Sequence, residues 1–197
     1  MSNYANTIED SIIAQNLFMK ILIFLQGTVL VHKSAIGKAR EQIVKQSKDY
    51  GESIRNFNEY IPIGNAVEKL KGWAEQGAEI YYLSALTEND KARGDEVVDK
   101  ENLLVDQEVL DKYRFPKGKI YHRKKEESYA QIAENLMPNI LIEDDCESIG
   151  GEKEMTFTYI KPEIKQRIKS VVIKEFGGID NLPDNINELI KYANHNS

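Results

Sequence analysis

The sequence predicts an α/β fold, with an open, doubly wound parallel sheet and helices on both of its faces. Two observations lead to this prediction. Short uninterrupted apolar runs, which are typical of strands buried on both faces, alternate along the chain with stretches of helical periodicity. Polar residues directly follow the strongest runs, at the strand ends where sheets built from repeated strand–helix–strand units bind ligands.

The length of 197 residues suits one domain with a small insert. Residues 1–18 are a polar lead-in with some helical spacing, whereas Met19 opens the apolar run MKILIFL. We therefore expect residues 1–18 to be an N-terminal extension, either an accessory helix or an added or misassigned segment. The single domain is predicted to span residues 19–197.

The first strand is predicted at residues 21–25, because the apolar run ILIFL stops at a Gly27–Thr28 turn. Residues 34–47 have helical spacing and residues 56–62 form an aromatic loop, so a small helical cap insert is expected at about 31–62. The remaining elements follow the same two patterns. They are strands at 80–83, 119–122, 140–142 and, at one edge, 156–160, and helices at 66–76, around 109–113, at 126–136, at 162–176 and around 186–190.

Composition excludes several classes of partner. A net charge of −6 repels phosphate backbones, so no nucleic-acid partner is expected. The one cysteine, Cys146, cannot form an internal disulfide, and from the sequence we expect neither a secretory leader nor a membrane-spanning run. We expect a cytoplasmic protein without a membrane partner. The oligomeric state stays open.

The predicted parallel sheet brings four polar segments to one crevice at the carboxyl ends of its strands. The hydroxyl of Ser84 and the main-chain N–H groups of the turn at 27–28 suit an anion, which a lysine at 124 or 125 can neutralise. Asp144 and Asp145 supply the oxygen ligands that Mg²⁺ prefers. The four segments are residues 26–28, 84–85, 122–125 and 143–145.

This order of strand ends resembles the haloacid dehalogenase-like superfamily, whose phosphatases carry four short motifs. The resemblance spans most of residues 19–151. The first motif, hhhhDxDGTxh, is similar to ILIFLQGTVL at 21–30. The second matches the strand ending in Ser84, the third a basic residue among Arg123, Lys124 and Lys125, and the fourth Ile140–Asp145. The resemblance implies a Rossmann-like core with a small cap.

The same resemblance implies that the usual phosphatase chemistry is lost. Phe24 occupies the position of the aspartate nucleophile, and Gln26 occupies that of the aspartate acid/base. The phosphate-binding positions correspond to Gln26, Gly27, Thr28, Ser84, Lys124 and Lys125. The metal positions correspond to Asp144 and Asp145, but without the first aspartate we expect a weakened or absent magnesium site.

Two functions follow from these residues. One is a pseudoenzyme that binds a small phosphorylated ligand or a protein partner in the crevice. The other is an active Mg²⁺-dependent hydrolase or phosphotransferase that uses Asp144, Asp145, His122 or a residue of the cap in a non-standard mechanism. A receiver-like or nucleotide-binding α/β domain of separate origin is a third possibility, and it predicts a different strand order.

Overall fold

The computed structural model describes residues 19–49, 56–87, 100–124 and 126–195. The predicted N-terminal extension, residues 1–18, lies outside this part of the chain. In chain order the elements are β1 (Met19–Phe24), β2 (Leu30–His32), α1 (Arg40–Lys48), β3 (Tyr60–Pro62), α2 (Ala66–Glu75), β4 (Ala78–Thr87), α3 (Lys100–Lys112), β5 (Lys119–Arg123), α4 (Tyr129–Leu136), β6 (Ile140–Asp144), α5 (Pro162–Lys165), β7 (Lys169–Ile173) and α6 (Ile186–His195).

Five strands form a parallel sheet in the order β5-β4-β1-β6-β7. The predicted parallel α/β sheet is thereby confirmed. Numbered by their sequence within this sheet, the strands run 3-2-1-4-5, which is the order of Rossmann-like doubly wound folds. Receiver-like domains have the order 2-1-3-4-5, so the receiver-like alternative is wrong.

Helices cover both faces of the sheet because alternate strand residues bury their side chains on opposite sides. On one face Ile21 and Ile23 pack with apolar residues of α2, α3 and α6, including Trp73. On the other face Leu22 and Leu141 pack with residues of α4 and with Ile168. No described helix combines the length and apolarity needed to cross a bilayer.

The region predicted as a cap insert contains a small second sheet. Strands β2 and β3 pair in antiparallel fashion, so the aromatic loop predicted at 56–62 is instead a 3-10 turn (Phe57–Glu59) followed by β3. The helix predicted at 34–47 begins only at Arg40. A 3-10 turn and Gly37, whose φ of +76° lies outside the helical region, separate α1 from the preceding strand.

The last predicted edge strand and the helix after it are wrong. Residues 157–159 form a 3-10 turn, and α5 ends after Lys165, so the strand of this region is β7. The turn forms because Glu143 accepts hydrogen bonds from the main-chain N–H groups of Thr156 and Phe157. The β-branched run Val171–Ile173 favours a strand once β6 provides an edge to pair with.

Candidate ligand site at the carboxyl ends of the strands

The polar segments predicted to meet at one crevice lie at or near the carboxyl ends of four neighbouring parallel strands. Gln26 follows β1, Lys124 follows β5 and Asp144 ends β6. Ser84 lies inside β4, which continues to Thr87 after a register shift. Because the strands are parallel, these positions share the carboxyl edge of the sheet.

Phe24, which the motif resemblance predicts at the position of the aspartate nucleophile, packs among aromatic and cationic groups. Its ring lies edge-on to Tyr129, with ring centroids 5.2 Å apart. The guanidinium carbon of Arg123 lies 5.2 Å from the same Tyr129 ring, and the Tyr129 hydroxyl donates to the carbonyl of Ala85 at 3.2 Å. Phe24 has no lone pair, so this position offers neither a nucleophile nor a metal ligand.

Gln26, predicted at the acid/base position, links the end of β1 to Ala85 of β4 and to Asp106 of α3 through its side-chain amide. Its Oε1 accepts from the main-chain N–H of Ala85 at 2.9 Å, and its Nε2 donates to Oδ1 of Asp106 at 2.8 Å. The other oxygen of Asp106 lies 3.2 Å from Nε2 of His122. Both ends of the amide are used, so Gln26 positions Asp106.

Asp106 is a site residue that the sequence reasoning missed. It is 2% exposed and comes from α3, where it lies beside the buried residues Val105 and Val109. Buried carboxylates are rare unless they are paired. An acid among the apolar positions of a helix therefore indicates a buried, paired carboxylate. Sequence reasoning overlooked Asp106 because it follows a strongly charged segment and was grouped with it.

The turn at Gly27 and Thr28 packs against Asp144. Gly27 has a φ of +87°, and a Cβ at this position would lie 2.7 Å from Oδ2 of Asp144. The Thr28 hydroxyl donates to the same oxygen at 2.8 Å. The Gly27 N–H already donates to the carbonyl of Leu30 at 2.9 Å, so it is engaged within the turn and is not presented to a ligand.

Ser84 has a structural partner. Its side chain is fully buried, and its Oγ accepts from the main-chain N–H of Leu86 at 3.0 Å. Serine hydroxyls commonly bond a main-chain group two residues on. In this structure Ser84 stabilises the irregular end of β4.

Asp144 and Asp145, predicted as metal ligands, contact different groups. Asp144 accepts from Thr28 and from the N–H of Cys146, while burial raises the pKa of its carboxyl. Burial alone would also raise the pKa of Asp145. The N–H of Glu175 together with Lys174 and Arg40 outweighs that effect and holds the pKa below its ordinary value. Among the described residues no group of three or more His, Cys, Asp or Glu side chains is arranged to hold a metal.

Arg40 ties α1 to the loops that follow β6 and β7. Its Nη2 lies 2.7 Å from the carboxylate of Glu147, and its Nε donates to the carbonyl of Glu175 at 2.8 Å. The Glu175 carboxylate in turn accepts from the N–H and the hydroxyl of Ser148, each at 2.6 Å. The negative charges of Glu147 and Glu175 are thus balanced by a guanidinium and by hydrogen-bond donors of the protein itself.

Glu143 faces away from this network. It is 2% exposed and accepts from the N–H groups of Thr156 at 2.7 Å and Phe157 at 3.0 Å. Burial raises the pKa of Glu143 to about 7, and these two hydrogen bonds only partly oppose the shift. Glu143 therefore stabilises a turn and does not contribute to the crevice.

The basic residues of the third predicted motif differ in their surroundings. Lys125 lies outside the described residues. Lys124 is exposed, and its main chain exchanges hydrogen bonds with Glu127. Arg123 stacks on Tyr129, and its Nε is buried without a hydrogen-bond partner in the described part of the chain.

No model of a known protein family matches this chain, and no curated protein matches its sequence significantly. The family resemblance therefore depends on the motif residues and the fold alone.

Proposed function

We propose that this protein binds a small phosphorylated ligand at the carboxyl edge of its sheet and does not carry out the aspartyl-phosphate phosphatase reaction. Membership of the haloacid dehalogenase-like superfamily is part of the proposal. It is supported by the order of the four motif-like segments along the chain, and the Rossmann-like strand order is compatible with it.

The observation that carries the binding proposal is the environment of Arg123. Buried donors in proteins almost always have a partner, yet the Nε of Arg123 has none among the described residues. Its guanidinium is held against Tyr129, and no described carboxylate forms an ion pair with it. Phosphate oxygens pair well with a guanidinium, so a phosphate group is the ligand that suits this donor.

The loss of phosphatase chemistry is supported by what replaces the two aspartates. Phe24 fills the nucleophile position with an aromatic ring. Gln26 cannot exchange a proton in the working pH range, and both ends of its amide are engaged. Neither residue can form an aspartyl-phosphate or protonate a leaving group.

The binding proposal is tested by calorimetry and thermal shift with inorganic phosphate, nucleotides and sugar phosphates. We expect at least one of them to stabilise the protein. Arg123→Gln should weaken that binding about 10- to 100-fold, since a charge-assisted hydrogen bond contributes about 1.5–3 kcal/mol. The matched control is Arg167→Gln, because Arg167 is exposed and remote from β5 in the chain. Equal losses in both variants, or no stabilisation by any phosphate compound, would reject the site.

The active-hydrolase alternative, with Asp144 and Asp145 as its metal ligands, needs a separate assay. Wild type and Asp144→Asn are compared with generic phosphate esters and Mg²⁺. We expect no enzymatic turnover in either protein. Robust turnover that disappears in Asp144→Asn would overturn the proposal in favour of a metal-dependent enzyme. If the protein shows neither turnover nor phosphate binding, the remaining function for the crevice is to bind a protein partner.

A further inference from the structure

We propose that His122 is a phosphoryl-accepting nucleophile, with Asp106 as its positioning residue. This goes beyond ligand binding, because it gives the carboxyl edge of the sheet a covalent chemistry. Phe24 stands where the family's aspartate nucleophile is expected, at the end of β1, whereas His122 lies near the carboxyl end of β5, the edge strand on the far side of β4. The chemical class of substrate is a small, activated phosphoryl donor such as an acyl phosphate.

The pair of Asp106 and His122 fixes which nitrogen of the ring is free. Nε2 lies 3.2 Å from Oδ2 of Asp106. A carboxylate can only accept a hydrogen bond, so in the neutral ring the proton belongs on Nε2 and the lone pair on Nδ1. No described residue donates a hydrogen bond to Nδ1, and the His122 side chain keeps 12% of its surface exposed.

Asp106 is itself held firmly. Its side chain is almost fully buried, and its Oδ1 accepts from Nε2 of Gln26 at 2.8 Å. Gln26 is in turn fixed by the main-chain N–H of Ala85. A chain of hydrogen bonds therefore runs from β4 to His122. A nucleophile whose partner is oriented by a third group is the usual arrangement in covalent catalysis.

The proposed transfer balances in atoms and charge. The lone pair of Nδ1 attacks phosphorus of acetyl phosphate, the bond from phosphorus to the bridging oxygen breaks, and acetate leaves with that electron pair. The ring keeps its Nε2 proton, and the Asp106 carboxylate compensates the positive charge that the ring gains. Water then attacks phosphorus, the N–P electron pair returns to Nδ1, and both protons of the water leave with inorganic phosphate.

The surroundings of His122 favour an anionic donor. Arg123 and Lys124 follow His122 directly in the chain at the carboxyl edge, with Arg123 against Tyr129 of α4 and His122 against Asp106 of α3. Neither forms an ion pair with another described residue. Their field attracts a doubly charged phosphoryl donor from solution.

The test is incubation of the full chain with acetyl phosphate, followed by intact mass spectrometry and peptide mapping. We expect one phosphate per chain, located on His122, stable in alkali and labile in acid. His122→Asn should remove the label completely. Asp106→Asn should slow labelling at least tenfold while His122 remains the labelled residue. Thermal unfolding shows whether each variant is folded. Peptide mapping of the wild-type protein locates the label even if a variant does not fold.

The absence of label on wild type, or a label on any residue other than His122, would overturn the proposal. This result is separable from ligand binding. Reversible binding is compared between wild type and Arg123→Gln, and labelling between wild type and His122→Asn, so each result has its own variant. Binding without labelling would refute the nucleophile alone, whereas labelling without reversible binding would refute the Arg123 site alone.

Discussion

The two halves of the crevice handle their charges in different ways. In the acidic half, formed by Asp144, Asp145 and Glu175, each carboxylate accepts hydrogen bonds from main-chain or side-chain donors of the protein. In the histidine half, formed by Gln26, Asp106 and His122, one carboxylate orients a ring whose second nitrogen has no described donor. The difference teaches that a row of acids after a buried strand can be structural, while the proposed nucleophile, His122, lies on the other side of β1.

The strongest test of this comparison is Gly27→Ala, which inserts a methyl group into the acidic half. Gly27 has a φ of +87°, and the new Cβ would lie 2.7 Å from Oδ2 of Asp144. Left-handed strain costs about 1–2 kcal/mol and overpacking costs about 1–3 kcal/mol more. We therefore expect the free energy of unfolding, measured with urea, to fall by about 3–4 kcal/mol.

The matched control for that substitution is Gly37→Ala. Gly37 has a similar φ of +76°, but nothing lies within 4 Å of its Cβ position. Only the strain applies there, so the expected loss is about 1 kcal/mol. Equal losses at the two positions would show that Asp144 does not pack firmly against the turn, and the acidic half would lose its structural role.

Sequence reasoning predicted the parallel sheet because buried strands leave an unambiguous pattern. Runs such as Ile21–Leu25 are apolar on both faces, and the structure confirms β1 at that place. Reasoning failed at residues 156–173, where local spacing was compatible with helix or strand. There the outcome depends on Glu143 and the edge of β6, two partners that are distant in sequence.

The site was only partly predictable for the same reason. The carboxyl ends of parallel strands had to share one edge, so Gln26, Asp144 and His122 could be grouped from their positions alone. Their partners could not be found in this way. Asp106 belongs to a helix 80 positions beyond Gln26, and its role depends on which side of α3 faces the sheet.

The second test concerns the change in the free energy of unfolding with pH that the raised pKa of Glu143 produces. Its folded-state pKa is raised from 4.5 to about 7 by burial. Its contribution is therefore complete below pH 4.5 and is lost as the pH rises towards about 7. A shift of this size corresponds to at most about 3 kcal/mol. We expect the free energy of unfolding of wild type to fall over this range by about 2–3 kcal/mol relative to Glu143→Gln.

The matched control for this pH series is Glu152→Gln, since Glu152 is exposed. That variant should follow the wild-type profile at every pH. Parallel profiles of Glu143→Gln and wild type would show that the pKa of Glu143 is not raised, and that the hydrogen bonds from Thr156 and Phe157 offset the effect of burial fully.

The smallest expected effect is that of Mg²⁺. Asp144 is engaged by Thr28 and Cys146, and Asp145 by Lys174, while Mg²⁺ needs several free oxygens in octahedral geometry. Millimolar Mg²⁺ should therefore raise the melting temperature of wild type by less than about 1 °C. Micromolar binding by calorimetry would contradict this and restore a metal site to the acidic half.

Arg40→Gln makes the metal test sharper. The substitution removes the guanidinium that lies between Asp145 and Glu147, both of which stay in place. The partly exposed ion pairs it loses contribute about 1 kcal/mol at most. We expect a small loss of stability and a larger response to Mg²⁺ than in wild type, with Arg167→Gln as the control. If Arg40→Gln gained no response to Mg²⁺, the acids would be held by their hydrogen bonds alone, and Arg40 would not be the cation that compensates them.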